Sequence, residues 1–342
     1  MTTHIKKRNF IVLAVIILIA AAILSSFVYL NSQKHYSGNV ENLSFGLFFG
    51  ATEPYAGLVY VAQNQNFFAQ NGINLTTTNY ATASAAVNGV LNNQVDLAIS
   101  SEYVFAYNVL NQGNLSIITT VDKSQTVFLI GRTDKGIENI TDLQGKKIGL
   151  TLDVAPHFYL SRFLELNNVN TQNLTLVNLA PKDYVNAVVN GSVDALVATT
   201  SDISNVEAQL PNSTVMWSVQ SDQPTYILVS CRSNWLGSHQ ETVTRFLKSL
   251  AQAETYTINH ATGAKNIVQK DFNFSNSEMM QIWSNHLFSL SLDQSLLLAM
   301  QDEAQWLVNN NLTNVTSVPN FLNYIYFGGL ETVNPNSVTI TH

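Results

Sequence analysis

The sequence predicts an α/β protein of two lobes, each a doubly wound sheet with flanking helices. Two observations carry this. Residues 141–169, TDLQGKKIGLTLDVAPHFYLSRFLELNNV, read as strand, loop and helix in close succession. That arrangement leaves unpaired helix-start amides at the carboxyl edge of an open α/β sheet. The chain also repeats itself. Phe45-Gly46-Leu47-Phe48 echoes Ile148-Gly149-Leu150-Thr151, a proline follows each (Pro54 and Pro156), and NNQVDLAIS (92–100) echoes NGSVDALVA (190–198). Two similar units imply two lobes whose switch-point loops face each other.

In the first stretch, Thr141 and Gln144 fit a capping box around one turn, which Gly145 closes. Residues 146–150 read as a buried strand and 152–155 as a loop. Pro156 suits the first helical position, where its missing N–H has no partner to lose. Tyr159, Phe163 and Leu166 then give the helix one apolar face.

Lys6, Lys7 and Arg8 precede residues 10–30, which carry no charge. At about 1.5 Å per residue that run spans a hydrocarbon core of about 30 Å. The basic flank assigns residues 1–9 to a cytoplasmic stub. The length of the run favours an uncleaved transmembrane anchor over a cleaved signal. A polar linker follows at 31–41, and everything beyond it is expected to be extracytoplasmic. About three hundred residues remain, near the size where one core gives way to two.

Charged residues are 11% of the chain and the net charge is −7, which argues against a nucleic-acid partner. Sequons begin at Asn42, Asn74, Asn114, Asn139, Asn173, Asn190, Asn212, Asn273, Asn311 and Asn314, and several fall in expected turns, as in a glycoprotein. The one cysteine, Cys231, lies in the apolar pattern TYILVSC and reads as a small buried hydrophobe.

Residues 43–49 read as the first strand, 50–54 as a loop, and 55–68 as a helix ended by Asn71-Gly72. A strand at 73–78 leads to a helix capped by Thr82 or Ser84. A strand at 95–99 ends in Ser100-Ser101-Glu102 before a helix at 103–110, and a strand follows at 115–121. The apolar runs 126–132 and 225–232 flank the second unit and read as two hinge strands. Lobe one is then 42–131 with 225–342, and lobe two 132–224. Lobe two adds a strand at 174–178, a helix at 182–190 ended by Gly191, and a strand at 193–198. Ser238-x-x-Glu241, Ser275-x-x-Glu278 and Ser291-x-x-Gln294 each open a helix in the last third.

Candidate ligand contacts sit at the strand ends. Ser100, Ser101, Thr82 and Ser84 offer hydroxyls at helix starts whose free amides suit an anion, although plain capping uses the same residues. Thr199, Thr200 and Asp202 hold the matching place in lobe two. Glu53, Glu102 and Asp153 fall at similar loops, and Lys123, Lys182 and His157 are the few nearby bases. An acidic mouth favours an amine, a zwitterion or a polar heterocycle over an inorganic anion. His157 either donates to a ligand or stands exposed, and Tyr55 either walls the cleft or joins the core. Asp271 is expected in a distal loop.

The seven histidines form no H-x-H or H-x-x-x-H pair, so no metal site is expected. No phosphate loop, nucleophile elbow or reactive-cysteine context is present. The expectation is a binding protein without a cofactor, not an enzyme.

Several stretches together, PYAGLVYVAQNQNFFAQNGINL, QVDLAISSEYVF, ITDLQGKKIGLTL, the second VDALVA, and LSLDQSLLLAMQDEAQWLVNNNLTN with VPNFLNYIYFGGLETVNP, carry a resemblance. Over residues 43–340 the chain resembles the exported solute-binding proteins of nitrate/taurine/sulfonate-type ABC importers. The resemblance implies a two-lobed periplasmic-binding-protein-like fold (type II) that closes on a small organic solute, a sulfonate, an amine or zwitterion, or a heterocycle. It also implies a monomer that delivers the solute to an ABC transporter permease. Members of that group often carry an acidic residue and a proline after the second VDA strand, where this chain has Thr199-Thr200-Ser201-Asp202. A surface sensor is the alternative role. Related enzymes of thiamine-pyrimidine and menaquinone synthesis fit less well, because the first use a cysteine-rich motif and the second act inside the cell.

Overall fold

The computed structural model describes residues 36–48, 53–272 and 274–341. The stub, the apolar run at 10–30, the linker as far as residue 35 and the loop residues 49–52 lie outside them. Among the described residues no helix is long and apolar enough to cross a membrane.

The strands are β1 (Glu41–Phe48), β2 (Ile73–Tyr80), β3 (Leu97–Ser101), β4 (Leu115–Ser124), β5 (Val127–Arg132), β6 (Lys147–Leu150), β7 (Thr175–Asn178), β8 (Ala195–Thr199), β9 (Thr214–Ser218), β10 (Thr225–Arg232) and β11 (His286–Leu287). The main helices are α1 (Gly57–Asn64), α2 (Ala83–Leu91), α3 (Glu102–Gln112), α4 (Ala155–Leu166), α5 (Tyr184–Val189), α6 (Thr200–Gln209), α7 (Gln240–Asn259), α8 (Ala261–Phe272), α9 (Asn276–Trp283), α10 (Gln294–Asn309) and α11 (Gly328–Val333). One sheet runs β11-β4-β10-β3-β1-β2 and the other β7-β6-β8-β5-β9.

The echo in sequence is an echo in topology. β1 lies parallel between β2 and β3, and β6 lies parallel between β7 and β8. The aspartate of each VD pair does the same work. Asp96 Oδ2 accepts from the Ser44 N–H at 2.9 Å and from its hydroxyl at 2.6 Å, while Asp194 Oδ2 accepts from the Lys147 N–H at 2.9 Å. Each therefore ties its strand to the first strand of its unit. Packing demands the glycine of the second echo, since a Cβ at Gly149 would stand 2.6 Å from Leu179 Cδ1.

The two apolar runs are not the crossings between lobes. β5 pairs with β8 and β9 inside the second sheet, and β10 pairs with β3 and β4 inside the first. Two short links cross instead, after Ser124 and after Ser218, and the start of lobe two moves from residue 132 to about residue 126. A buried apolar strand needs ladder partners on both sides for its backbone, and a two-strand hinge would leave them unmet. Gln220, only 2% exposed, ties the links together. Its Oε1 accepts from the Val127 N–H at 2.9 Å, and its Nε2 donates to the Ser124 carbonyl at 2.9 Å and to Thr225 Oγ1 at 3.3 Å.

Local chemistry adjusts other boundaries. The helix expected over 55–68 breaks into α1 and a short Phe67–Gln70 turn, where Asn66 adopts φ +57°. The capping box near residue 141 is Asn139 with Asp142, while Ser275 with Glu278 is the box expected. Ser238 and Ser291 are not caps, because His239 and Asp293 hold those positions. Asp271 lies exposed in the last turn of α8 rather than in a loop. β9 has no counterpart in the sequence reading.

Strand register places the functional ends. In the first sheet Thr225 lies opposite Ser124, His286 also lies opposite Ser124, and Ile227 lies opposite both Ser101 and Asp122. In the second, Val127 lies opposite Thr199 and Phe128 opposite Ser218. Both links join these two edges, so the carboxyl ends of β1 and β3 face those of β6 and β8.

Candidate functional site

Four carboxylates are buried along this seam: Glu53, Glu102, Asp122 and Glu303, each 1% exposed or less. Glu102 opens α3, directly after β3. Burial pushes its carboxyl up to about 8, against the pull of the backbone N–H groups of Tyr226, Tyr103 and Glu102 itself and of the Tyr159 hydroxyl. Tyr159 reaches it from α4 of the other lobe. Its hydroxyl lies 3.3 Å from Glu102 Oε1 and 3.0 Å from Thr225 Oγ1. Among the described residues Glu102 Oε2 and the buried Ser100 hydroxyl have no hydrogen-bond partner. Glu303, on α10, has no partner among the described residues for either oxygen, and burial followed by the Glu102 charge pushes its carboxyl well up.

The second part of the seam is a buried acid–imidazole–acid bridge. His286 Nδ1 lies 2.7 Å from Asp122 Oδ2, and its Nε2 lies 3.1 Å from Glu53 Oε2. Burial alone would push the imidazole down, but Asp122 and Glu53 together push it up to about 9, so it is the imidazolium that bridges them. Burial pushes the Glu53 carboxyl up in spite of His286. Phe288 stacks on the imidazole at 5.4 Å and Tyr55 packs against it at 5.7 Å. Among the described residues Glu53 Oε1 and Asp122 Oδ1 have no partner.

From the second lobe, Thr200 Oγ1 accepts from Asn285 Nδ2 at 3.3 Å, and Ser204 Oγ donates to Gln281 Oε1 at 3.2 Å. Asp202, half-buried in the first turn of α6, is pushed up to about 6 by burial and then by the charge of Glu53. A groove of about 220 Å³ opens beside these contacts, with Thr200, Glu207, Gln281 and Asn285 on its walls.

Of the residues singled out in sequence, Glu53, Tyr55, Ser100, Glu102, Thr200 and Asp202 gather along this seam. Ser101 caps α3, accepting from the Val104 N–H at 3.3 Å, and Thr199 holds the N-cap position of α6. Thr82 is exposed and accepts from the Ala85 N–H at 3.1 Å, so it is a helix cap, and Ser84 is exposed in the first turn of α2. Asp153 is exposed at φ +61°, while His157 stands edge-on to Trp306 with ring centres 5.0 Å apart. Burial pushes His157 down against the opposing pull of Asp153.

As site residues Asp122, Tyr159, Gln220, His286 and Glu303 escaped the sequence reading, which puts Tyr159 on the apolar face of its helix and His286 in the helix that Ser275 opens, although that helix ends at Trp283 and His286 lies in β11. Asp122 carried one legible signal, a lone acid directly after the apolar-and-threonine run 117–121. His286 carried none, because its partners lie 164 and 233 positions away.

The fold and the facing edges define a two-lobed α/β protein of the periplasmic-binding-protein type. The chain belongs to the NMT1/THI5-like family, whose model matches residues 53–264. No curated protein matches the sequence. Among solved structures, the periplasmic aliphatic sulphonate binding protein SsuA from Escherichia coli is similar at TM-score 0.72 and 14% identity, covering 84% of this chain and 97% of that one. The alkanesulfonate-binding protein SsuA from Xanthomonas axonopodis pv. citri, bound to MOPS, is similar at TM-score 0.69 and 14% identity, covering 85% and 99%. The desulfurization enzyme DSZB shares the fold at TM-score 0.67 and 14% identity, covering 86% and 99%.

Proposed function

We propose that this chain is an extracytoplasmic solute-binding protein that captures a small organic solute between its lobes and delivers it to the permease of an ABC importer. It acts as a monomer, held at the membrane by residues 10–30. One observation carries the reading: the carboxyl edges of two sheets face each other across two short links, and the buried polar groups between them keep open hydrogen-bonding valences. Buried polar atoms are almost always satisfied in a finished protein, so open ones at a seam between lobes suit a ligand. Family membership and the shared fold support it.

Ligand binding is expected to reduce the radius of gyration in solution scattering, because clefts between domains close around their ligands. It is also expected to stabilise the protein by ~2.7 kcal/mol at a hundredfold excess over Kd. Stabilisation without compaction would count against closure of the lobes. Cell fractionation tests the anchor separately. The full chain is expected with the membranes, and a mature chain beginning near Ser25 in the medium would remove that part of the proposal. A catalytic role is the second reading, favoured by the likeness to DSZB. Burial of Cys231 in β10, with its thiol pushed up to about 12, supports binding over thiol chemistry.

A further inference from the structure

We propose that the solute carries an organic cation, an aliphatic amine or a guanidinium group, seated against Glu53, Glu102 and Asp202. The inference rests on the solute-binding reading and narrows it. Glu53, Glu102, Asp122 and Glu303 are each 1% exposed or less, and each keeps at least one oxygen with no hydrogen-bond partner among the described residues. Among the described residues, His286 is the one basic side chain paired with any of them. It satisfies one oxygen of Glu53 and one of Asp122, and leaves the other two open. A carboxylate taken out of water without a counter-charge is costly. Such a cluster is stable either as protonated acids or against a cation, and the seam between two lobes is where a cation can enter.

The opposite choice, an anion, meets positions already filled. At the start of α3 the Glu102 carboxyl itself faces the backbone N–H groups of Tyr103, Tyr226 and its own residue. Those of Glu102 and Tyr103 are the donors that a sulfonate or carboxylate would need at a helix start. In the other lobe Asp202 stands in the first turn of α6. An anion would therefore meet a carboxyl at each helix start. An ammonium group offers three N–H donors and a guanidinium five, which suits open acceptors at Glu53 Oε1 and Glu102 Oε2, with the Ser100 hydroxyl beside Glu102.

Calorimetric titration of the full chain in detergent, with putrescine, agmatine and spermidine set against methanesulfonate and nitrate, tests the inference. At least one amine is expected to bind more tightly than both anions. Glu102→Gln and Asp202→Asn are each expected to weaken that amine by about tenfold or more, the scale of one lost hydrogen bond to a charge. Asp271→Asn, on the exposed end of α8, is expected to leave binding unchanged. Asp202 is only half-buried, so its variant keeps the test open if Glu102→Gln fails to fold. Tighter binding of methanesulfonate or nitrate would overturn the cation and leave solute binding standing. Amine binding that neither variant weakens would place the cation elsewhere and overturn the assigned seat. If no probe binds and none compacts the protein in scattering, the cation and the solute-binding reading both fall.

Discussion

His286→Leu is expected to destabilise the protein by about 3–5 kcal/mol, the scale for removing one partner from a buried ion pair. The imidazolium bridges Glu53 and Asp122 with no exposure to solvent, and leucine would leave two buried carboxylates facing each other. The pH dependence follows from the direction of the shift. The folded imidazole sits at about 9, above its ordinary value of 6.5. Its contribution is therefore complete below about pH 6.5 and is lost as the pH rises through about 9. Urea denaturation near pH 6 and near pH 10 checks this, with the gap between wild type and variant narrowing at the higher pH. Adding Glu53→Gln and Asp122→Asn to His286→Leu is expected to restore much of the loss, because no buried charge would then lack its partner. A single variant as stable as wild type near pH 6 would show that the imidazolium does not hold this edge together.

Gln220→Ala is expected to cost ~2–4 kcal/mol and to broaden the distribution of lobe separations. One side chain satisfies the Val127 N–H and the Ser124 carbonyl, on the link entering lobe two, while sitting on the link that leaves it. Its Nε2 also reaches the Gln223 carbonyl at 3.2 Å. Truncation strands these buried groups, each at about 1–3 kcal/mol when no water replaces the partner. Chemical denaturation measures the first effect, and solution scattering or distances between spin labels on the two lobes measure the second. Loss of stability with an unchanged spread of distances would make Gln220 a core residue and not a tie between the links.

The two-unit architecture was legible because it is written locally. The FGLF and IGLT strands, the VD turns and the prolines at or just before the helix starts impose their geometry through near neighbours in the chain. The structure returns them as matching β1–β3 and β6–β8 pairs. Half of the candidate site was legible for the same reason. Glu53, Ser100, Glu102, Thr200 and Asp202 follow strand ends, and in a doubly wound lobe strand ends share one edge. Thr82 and Ser84 met the same rule, yet they stand exposed at the start of α2. The rule locates an edge and does not say which loop bends inward.

By itself, then, the sequence determined the number of lobes, most strands and helices, and the sheet edge to which the candidate residues belong, because each depends on short-range periodicity and turn chemistry. Only the tertiary structure decided that the apolar runs at 126–132 and 225–232 belong to opposite sheets. Both read as buried strands, and an apolar strand does not state its ladder partners. The tertiary structure also decided that Asp122, His286 and Glu53 form one bridge, and that Tyr159 of one lobe meets Glu102 of the other. Those contacts join residues from 57 to 233 positions apart. Burial pushes the Glu53 and Glu102 carboxyls up, while the two acids hold the His286 imidazole up against its own burial, and both effects belong to the assembled lobes, which no window of the chain contains.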